Sequence, residues 1–433
     1  MLYYDVKDYT VSPSVVKAGE QTTIVIKPNG SIGAFEEGKT YDIKIMGVED
    51  FATDLHDRPE HKLQVTVQNG CVSFDWFFGT EQTYVIKFDE KQIKRKPKAY
   101  GNKVRVFAAE ADLYERLVLK ADFHCHTTGS DGHDAPEQTV GNMRSCGIDV
   151  FAVTDHRDMQ PSIDMQRDFS EFSDVINIIN AEEVHVPDDY VHMISLGGKS
   201  VVQEYCNNTE RCNEEIQNIF DSLELPEGIS KRDFAYRVWA ADKSRELGGL
   251  PLLTHPFWLW ADVFFQNPKT VEELIKQGVY NCFEILNGVS DYHTNLSQIA
   301  FFHEMRAKGY NISIVGSSDS HTTSFDDFRD NIYCYTYVFS KGRDFESVKK
   351  AILDGWSVAV MKYPEDTHPT ITGSFRLVKY AEFLYYCYFE NYMQLTNIQG
   401  KLFHRIHTDP EAKDMILTQQ KIIDRFKQSF FGR

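Results

Sequence analysis

The chain has 433 residues, of which 42% are hydrophobic and 25% charged, with a formal net charge of −18. That length favours two or three domains over a single core, and the apolar content excludes disorder as the default state. The acidic excess argues against a sequence-independent grip on nucleic acid backbones, which needs a Lys/Arg surface, while an anionic small molecule stays compatible if a bound cation inverts the local field.

The eight cysteines form no C-x-x-C pair, and Cys282 and Cys334 sit in apolar runs, so they read as reduced core thiols. The start, Met1-Leu2-Tyr3-Tyr4-Asp5, lacks a basic segment leading into a long apolar one, and no stretch approaches a membrane span. A cytoplasmic protein is expected.

Residues 1–117 read as an all-β sandwich. Gln21–Ile26, Tyr41–Ile45, Lys62–Val67 and Thr83–Phe88 alternate apolar and polar residues, Val104–Phe107 is the last strand, and turn signals such as Pro28-Asn29-Gly30 and Gln68-Asn69-Gly70 separate them. No chemistry is apparent here; His56 and His61 are isolated and read as surface residues.

From Leu117 the pattern changes to apolar strands alternating with helical stretches, which predicts a parallel sheet with crossover helices over residues 118–375. The strands are Leu119–His124, Asp149–Thr154, Val175–Glu183, His192–Leu196, Leu250–Thr254, Tyr280–Leu286 and Asn311–Val315, with helices including Glu137–Cys146, Lys231–Leu247 and Asn295–Lys308. Seven such strands point to a distorted (β/α)7 barrel related to the eight-fold barrel. The polar stretch 203–230 reads as an insertion bordering the site mouth, and 376–433 as a C-terminal helical extension packed on the barrel.

The ends of these strands carry the chemistry. His124 and His126 stand at i and i+2, so on a strand both imidazoles share a face, and Asp131 can return toward them from the following Gly-rich turn. Thr154-Asp155-His156, Glu182-Glu183, Thr254-His255-Pro256 and Gly316-Ser317-Ser318-Asp319-Ser320-His321 close other strands, while Glu284 lies within one. A (β/α) barrel gathers catalytic residues at the C-terminal ends of its strands, and only His192, at the start of its strand, departs from that geometry. Spacing alone leaves Glu182 and Glu183 as alternatives. His133, His185 and His293 lie near the motifs, as does Trp258-Leu259-Trp260, which could wall a pocket.

Taken together, Asp122–Thr127, Ser130–Gly132, Thr154–His156, Glu183-Val184, His192 with Leu196-Gly197, Thr254–Pro256 and Gly316–His321 resemble the motifs of the polymerase and histidinol phosphatase (PHP) superfamily, over about residues 119–365. With an immunoglobulin-like domain ahead of the barrel, the chain looks most like the metallohydrolases grouped with carbaryl hydrolase. The resemblance implies two or three divalent metals, Zn, Mn or Fe. His124, His126, Glu183 and Asp319 would hold the first, Glu183, His192 and His255 the second, and Asp131, His156 and His321 the third. Glu183 is preferred because the family pattern places the acid directly before an apolar residue, here Val184. Asp131 departs from the pattern, which often has His there; a carboxylate is still a hard ligand and would weaken the third site or shift its preference toward Mn or Fe.

Asp122 and Asp155 would orient the neighbouring imidazoles, Glu284 would order a ligand, and Arg157 would clamp an anionic oxygen. The activity implied is hydrolysis of a small phosphorylated metabolite or nucleotide by a metal-bridging hydroxide, with Asp319 or His255 assisting proton transfer. The alternatives are a carbamate, ester or amide hydrolase of the carbaryl-hydrolase type and a non-catalytic binding protein on a degenerate scaffold.

Overall fold

The computed structural model describes residues 8–30, 34–50, 60–88, 103–185, 191–207, 209–322 and 332–433; His56 lies outside them. The chain divides into two units. One comprises residues up to Arg116 with Lys379–Leu395 and Leu417–Arg433, and the other Leu117–Val378 with Thr396–Ile416.

Among the described residues the first unit has eight strands: β1 (Tyr9–Ser12), β2 (Val15–Lys17), β3 (Glu20–Pro28), β4 (Thr40–Gly47), β5 (His61–Thr66), β6 (Val72–Phe78), β7 (Gln82–Phe88) and β8 (Lys103–Ala109). They form a three-stranded sheet, β1-β3-β6, and a five-stranded one, β2-β8-β7-β4-β5. Alternate residues of both sheets, among them Ile24, Ile26 and Phe74 of the first and Ile43, Ile86 and Val106 of the second, meet in one apolar core. All five expected strands are present; β1, β2 and β6 are additional. His61 is exposed.

The second unit is built on a curled ten-stranded sheet. Its strands are β9 (Leu117–Asp122), β10 (Val150–Val153), β11 (Asn177–Val184), β12 (Met193–Leu196), β13 (Leu250–Leu253), β16 (Cys282–Asn287), β17 (Ser313–Ser317), β18 (Cys334–Ser340), β19 (Ser357–Met361) and β20 (Thr370–Thr372), and a separate hairpin supplies β14 (Leu259–Trp260) and β15 (Val263–Phe264). The order is β17-β16-β13-β12-β11-β10-β9-β18-β19-β20. Every residue of β10, β12, β13, β16, β18 and β19 is buried, which is why these strands read as unbroken apolar runs.

All seven expected strands form, but the expected parallel (β/α)7 alternation does not. β12 runs antiparallel to both β11 and β13, and β18, β19 and β20 add an antiparallel flank beside β9. The reason for the first reversal is chain length: the connection 185–192 is shorter than the dozen or so residues a parallel crossover requires.

The curl brings β17 against β18 and β19, where hydroxyls join the strands. Thr336 Oγ1 accepts from Gly316 N at 2.9 Å and donates to Gly316 O at 2.7 Å, and Ser357 Oγ donates to Ile314 O at 2.7 Å. A Cβ at Gly316 would lie 2.9 Å from Tyr335 O, so this approach requires glycine.

The expected helices appear as Pro136–Ser145, Lys231–Glu246 and Tyr292–Ala307, the last capped by Asp291, which accepts from His293 N and Thr294 N. The insertion holds two helices, Val202–Asn207 and Thr209–Ser222. The C-terminal segment is not one extension packed on the barrel, because its parts belong to different units. In the first unit, Tyr388 stacks on Phe426 at 5.4 Å; in the second, Arg144 Nε donates to Gln399 Oε1 at 2.8 Å. Six of the eight cysteines are buried, and Cys206 and Cys212 bring their sulfurs to 2.9 Å. Among the described residues no helix is long and apolar enough to cross a membrane.

Candidate metal centre

Beyond β9 the chain stays extended through His126, with Cys125 bridged to Ser320. Alternation sends Phe123 and Cys125 into the core and leaves the His124 and His126 Nε2 atoms 3.2 Å apart on the other face. The turn then folds back so tightly that a Cβ at Gly132 would lie 2.5 Å from the His126 carbonyl. Asp131 Oδ1 is thereby placed 3.3 Å from His156 Nε2, 3.5 Å from His321 Nε2 and 3.9 Å from His126 Nδ1.

Glu182 and Glu183 point to opposite faces of β11. Glu182 turns outward and accepts from Val202 N at 2.5 Å, at the start of helix Val202–Asn207. Glu183 points into the centre. Its Oε2 lies 3.3, 3.4 and 3.1 Å from His124 Nε2, His126 Nε2 and His156 Nδ1, and its Oε1 2.9, 3.5 and 3.5 Å from His192 Nδ1, His255 Nε2 and His185 Nε2. Because β12 is reversed, its N-terminal end lies at the same rim as the C-terminal ends of its neighbours, and His192 reaches the cluster from there.

Asp319 completes the centre, with Oδ1 3.1 Å from His124 Nε2 and 3.2 Å from His126 Nε2. Three residues at strand exits hold left-handed backbone conformations: Arg157 at φ 59°, His255 at 20° and Asp319 at 51°. Each is pinned by its N–H, which donates to Glu183 O, Glu284 Oε2 and His124 O respectively. Strain of this kind persists only where the surroundings over-determine it.

Among the described residues, donor atoms within 4.8 Å of one another form four sets: His126, Asp131, His156 and His321; His124, Glu183 and His255; His124, His126 and Asp319; and His156, Glu183 and His185. These sets contain eight of the nine residues expected as ligands. His192 approaches Glu183 but joins no convergent set.

Two assigned roles change. Asp122 does not orient a ring: its Oδ1 accepts from His124 N and Ser318 N. Asp155 likewise holds the turn, accepting from Thr127 N, Thr127 Oγ1 and Ser130 Oγ. The ring acceptor is Glu284, whose Oε1 lies 2.9 Å from His124 Nδ1 and whose Oε2 takes His255 N and Asn287 Nδ2. Asn287 also donates to Asp319 Oδ2 at 3.1 Å, linking the two acids; the sequence reading missed it, although it lies three residues after Glu284 in the same strand.

Of the three neighbouring histidines, only His185 enters the cluster. His133 and His293 are exposed. The signal for His185 was present, since it follows Glu183 by two and shares its face, as His126 does with His124. Arg157 is exposed at the rim. Trp258 lies 5.5 Å from His255 and Phe265, also missed, 4.3 Å from His192 between ring centroids, so the hairpin base walls the cluster, while Leu259 and Trp260 are exposed.

No described Lys or Arg pairs with Glu183, Asp319 or Glu284, so in the metal-free protein imidazoles supply their positive partners. Burial favours the neutral acids, yet His124 and its neighbours hold Glu183 and Asp319 well below the usual carboxylate range. Burial also opposes charge on His126, but hydrogen bonding to Asp319 and Glu183 raises it to about 9. His192 is pushed down to about 4, chiefly by burial.

The donor set fits divalent cations. Among the described residues, Nδ1 of His156 and His192 and Oε1 of Glu183, all facing the cluster, are buried without a hydrogen-bond partner, which is costly unless another electrophile takes the lone pairs. His192 Nδ1 and Glu183 Oε1 lie 2.9 Å apart yet are not aligned for hydrogen bonding. Imidazole and carboxylate donors suit Zn, Mn or Fe.

No protein-family model matches the chain, and no curated protein matches it. Among solved structures it is similar to a two-domain protein from Bacteroides vulgatus containing a predicted PHP-like metal-dependent phosphoesterase, at 17% identity over 62% of this chain and 71% of that one, with a TM-score of 0.44. It is also similar to a protein described as a metal-dependent phosphoesterase from Bifidobacterium adolescentis (14% identity, 48% and 89% covered, TM-score 0.34) and to an amidohydrolase from Chromobacterium violaceum with bound sulfate and no metal (17%, 47% and 88%, 0.34). At these TM-scores the likenesses assign no activity.

Proposed function

We propose that the protein is a metal-dependent hydrolase of small phosphoesters. The observation that carries this reading is Glu183: each of its carboxylate oxygens faces three imidazoles, so that it would be shared by the cations held there. His124, His126 and Asp319 would hold one cation with Glu183 Oε2, and His255 and His192 a second with Oε1. Asp131, His156 and His321 form a third set at the rim.

Cations held there would activate water at neutral pH and draw charge from the bond under attack. Glu284 fixes His124 through Nδ1 and His255 through its backbone, and Asn287 fixes Asp319. Asp319, whose Oδ2 stands 3.9 Å from His255 Nε2, would hold and return the reaction's proton. Arg157, exposed at the rim, is the cation for an anionic substrate oxygen.

A substrate panel on metal-loaded protein tests this. Phosphoester hydrolysis abolished by chelation and restored by metal is the expected result. Hydrolysis of carboxyl esters, carbamates or amides without any phosphoester would overturn the substrate class, and inactivity with less than one metal per chain would overturn the enzyme reading.

A further inference from the structure

His185 lies outside the nine residues expected as ligands, yet its position is that of one. It shares the face of β11's end with Glu183, its side chain is 10% exposed, and Nε2 lies 3.5 Å from Glu183 Oε1. Its ring stands edge-on to His156 at 4.4 Å and stacks on His192 at 4.0 Å. His156 presents Nδ1 to the same carboxylate, 3.1 Å from Oε2. Four ligands about 2.1 Å from a tetrahedral ion are separated by about 3.4 Å, the spacing these donors approach.

His156 is the constraint. A neutral imidazole has one lone pair, and its other nitrogen carries a proton. Nδ1 faces Glu183 and Nε2 faces Asp131 Oδ1 at 3.3 Å, so His156 binds a metal on one side only. If Nδ1 binds, Nε2–H donates to Asp131, and that carboxylate orients the ring as acceptors commonly do for metal-bound histidines.

Resting on the metal-site reading above, we infer that His185 Nε2, His156 Nδ1 and Glu183 hold a divalent cation, and that Asp131 is the acceptor that positions His156 and not a ligand of a separate third ion. The buried donors of this set are two imidazoles and a carboxylate, which selects Zn or Co over Mg.

The test is a Co²⁺ titration of the full chain, read by elemental analysis and visible absorption, for wild type, His185→Ala, Asp131→Asn and His293→Ala as an exposed control. His185→Ala is expected to lose one equivalent and change the cobalt spectrum. Asp131→Asn should keep the stoichiometry and weaken one step by about 10–100-fold. Loss of an equivalent in Asp131→Asn with none in His185→Ala overturns the inference, and so does a His185→Ala titration that matches wild type. Wild type that takes up no cobalt defeats the metal reading itself, a different failure. Should His185→Ala not fold, crystals of cobalt-loaded wild type decide: an anomalous peak about 2.1 Å from His185 Nε2 is expected, and its absence there overturns the proposal.

Discussion

Glu183 Oε1 and His192 Nδ1 lie 2.9 Å apart, although Glu183 closes one strand and His192 precedes the start of the next. They meet because β12 runs antiparallel to β11, so the start of one strand and the end of the other share a rim. The connection 185–192 is too short for a parallel crossover, which accounts for that reversal.

Glu284 carries no metal in this account, but it holds His124 Nδ1 at 2.9 Å and His255 N at 2.9 Å. Glu284→Gln should keep the fold, as judged by circular dichroism, and lower metal affinity by about 10–100-fold in competition with a chromogenic chelator. Unchanged affinity would remove it from the site.

Metal uptake should be coupled to protons through His126. Burial disfavours its charge, but Asp319 and Glu183 raise it to about 9, so at pH 7 metal-free His126 is protonated and must lose that proton to ligate. Zinc added at pH 7 in weak buffer should acidify the solution, and apparent affinity should climb as pH rises toward 9. The sign for metal-free stability is opposite. Charged His126 stabilises the fold fully below its unfolded value of about 6.5, and this contribution is lost as pH passes 9.

Glu182 makes a pH-dependent prediction independent of metal. Burial raises its pKa to about 7, against about 4.3 in the unfolded chain. Between these values the folded state binds the extra proton, so stability falls as pH rises and the penalty is complete above 7. Glu182→Gln should raise unfolding free energy at pH 8 by an amount of order 2–4 kcal/mol and leave it nearly unchanged at pH 4. Urea denaturation at both pH values measures it; an equal effect at each would contradict the cause given.

Gly132→Ala should disturb the rim of the site. A Cβ there would lie 2.5 Å from the His126 carbonyl carbon and oxygen, so the turn must open and carry Asp131 away from His156. A loss of about 1–3 kcal/mol in thermal unfolding is expected, together with weaker metal binding.

Part of the centre was legible because strand alternation is a local rule: that His124 and His126 share a face follows from a period of two, whereas spacing left Glu182 and Glu183 as alternatives and the preference for Glu183 came from the resemblance. What escaped was non-local. Strand direction depends on how far a connection reaches, so His192 looked misplaced until β12 was seen reversed. Asp122 and Asp155 precede or neighbour ligand histidines in sequence, yet their carboxylates serve backbone N–H groups across the rim, which spacing cannot reveal. The C-terminal aromatic residues read as packing residues, but which body each part would join depends on tertiary contacts alone.

The central claim, that Glu183 bridges a multinuclear metal site, is tested most directly by the metal content of folded protein after loading and dialysis, for wild type and Glu183→Ala. About two or more divalent ions per wild-type chain, falling below one in the variant while circular dichroism stays unchanged, is the predicted result. Folded wild type holding less than one ion per chain, or a variant retaining the full complement, would contradict it.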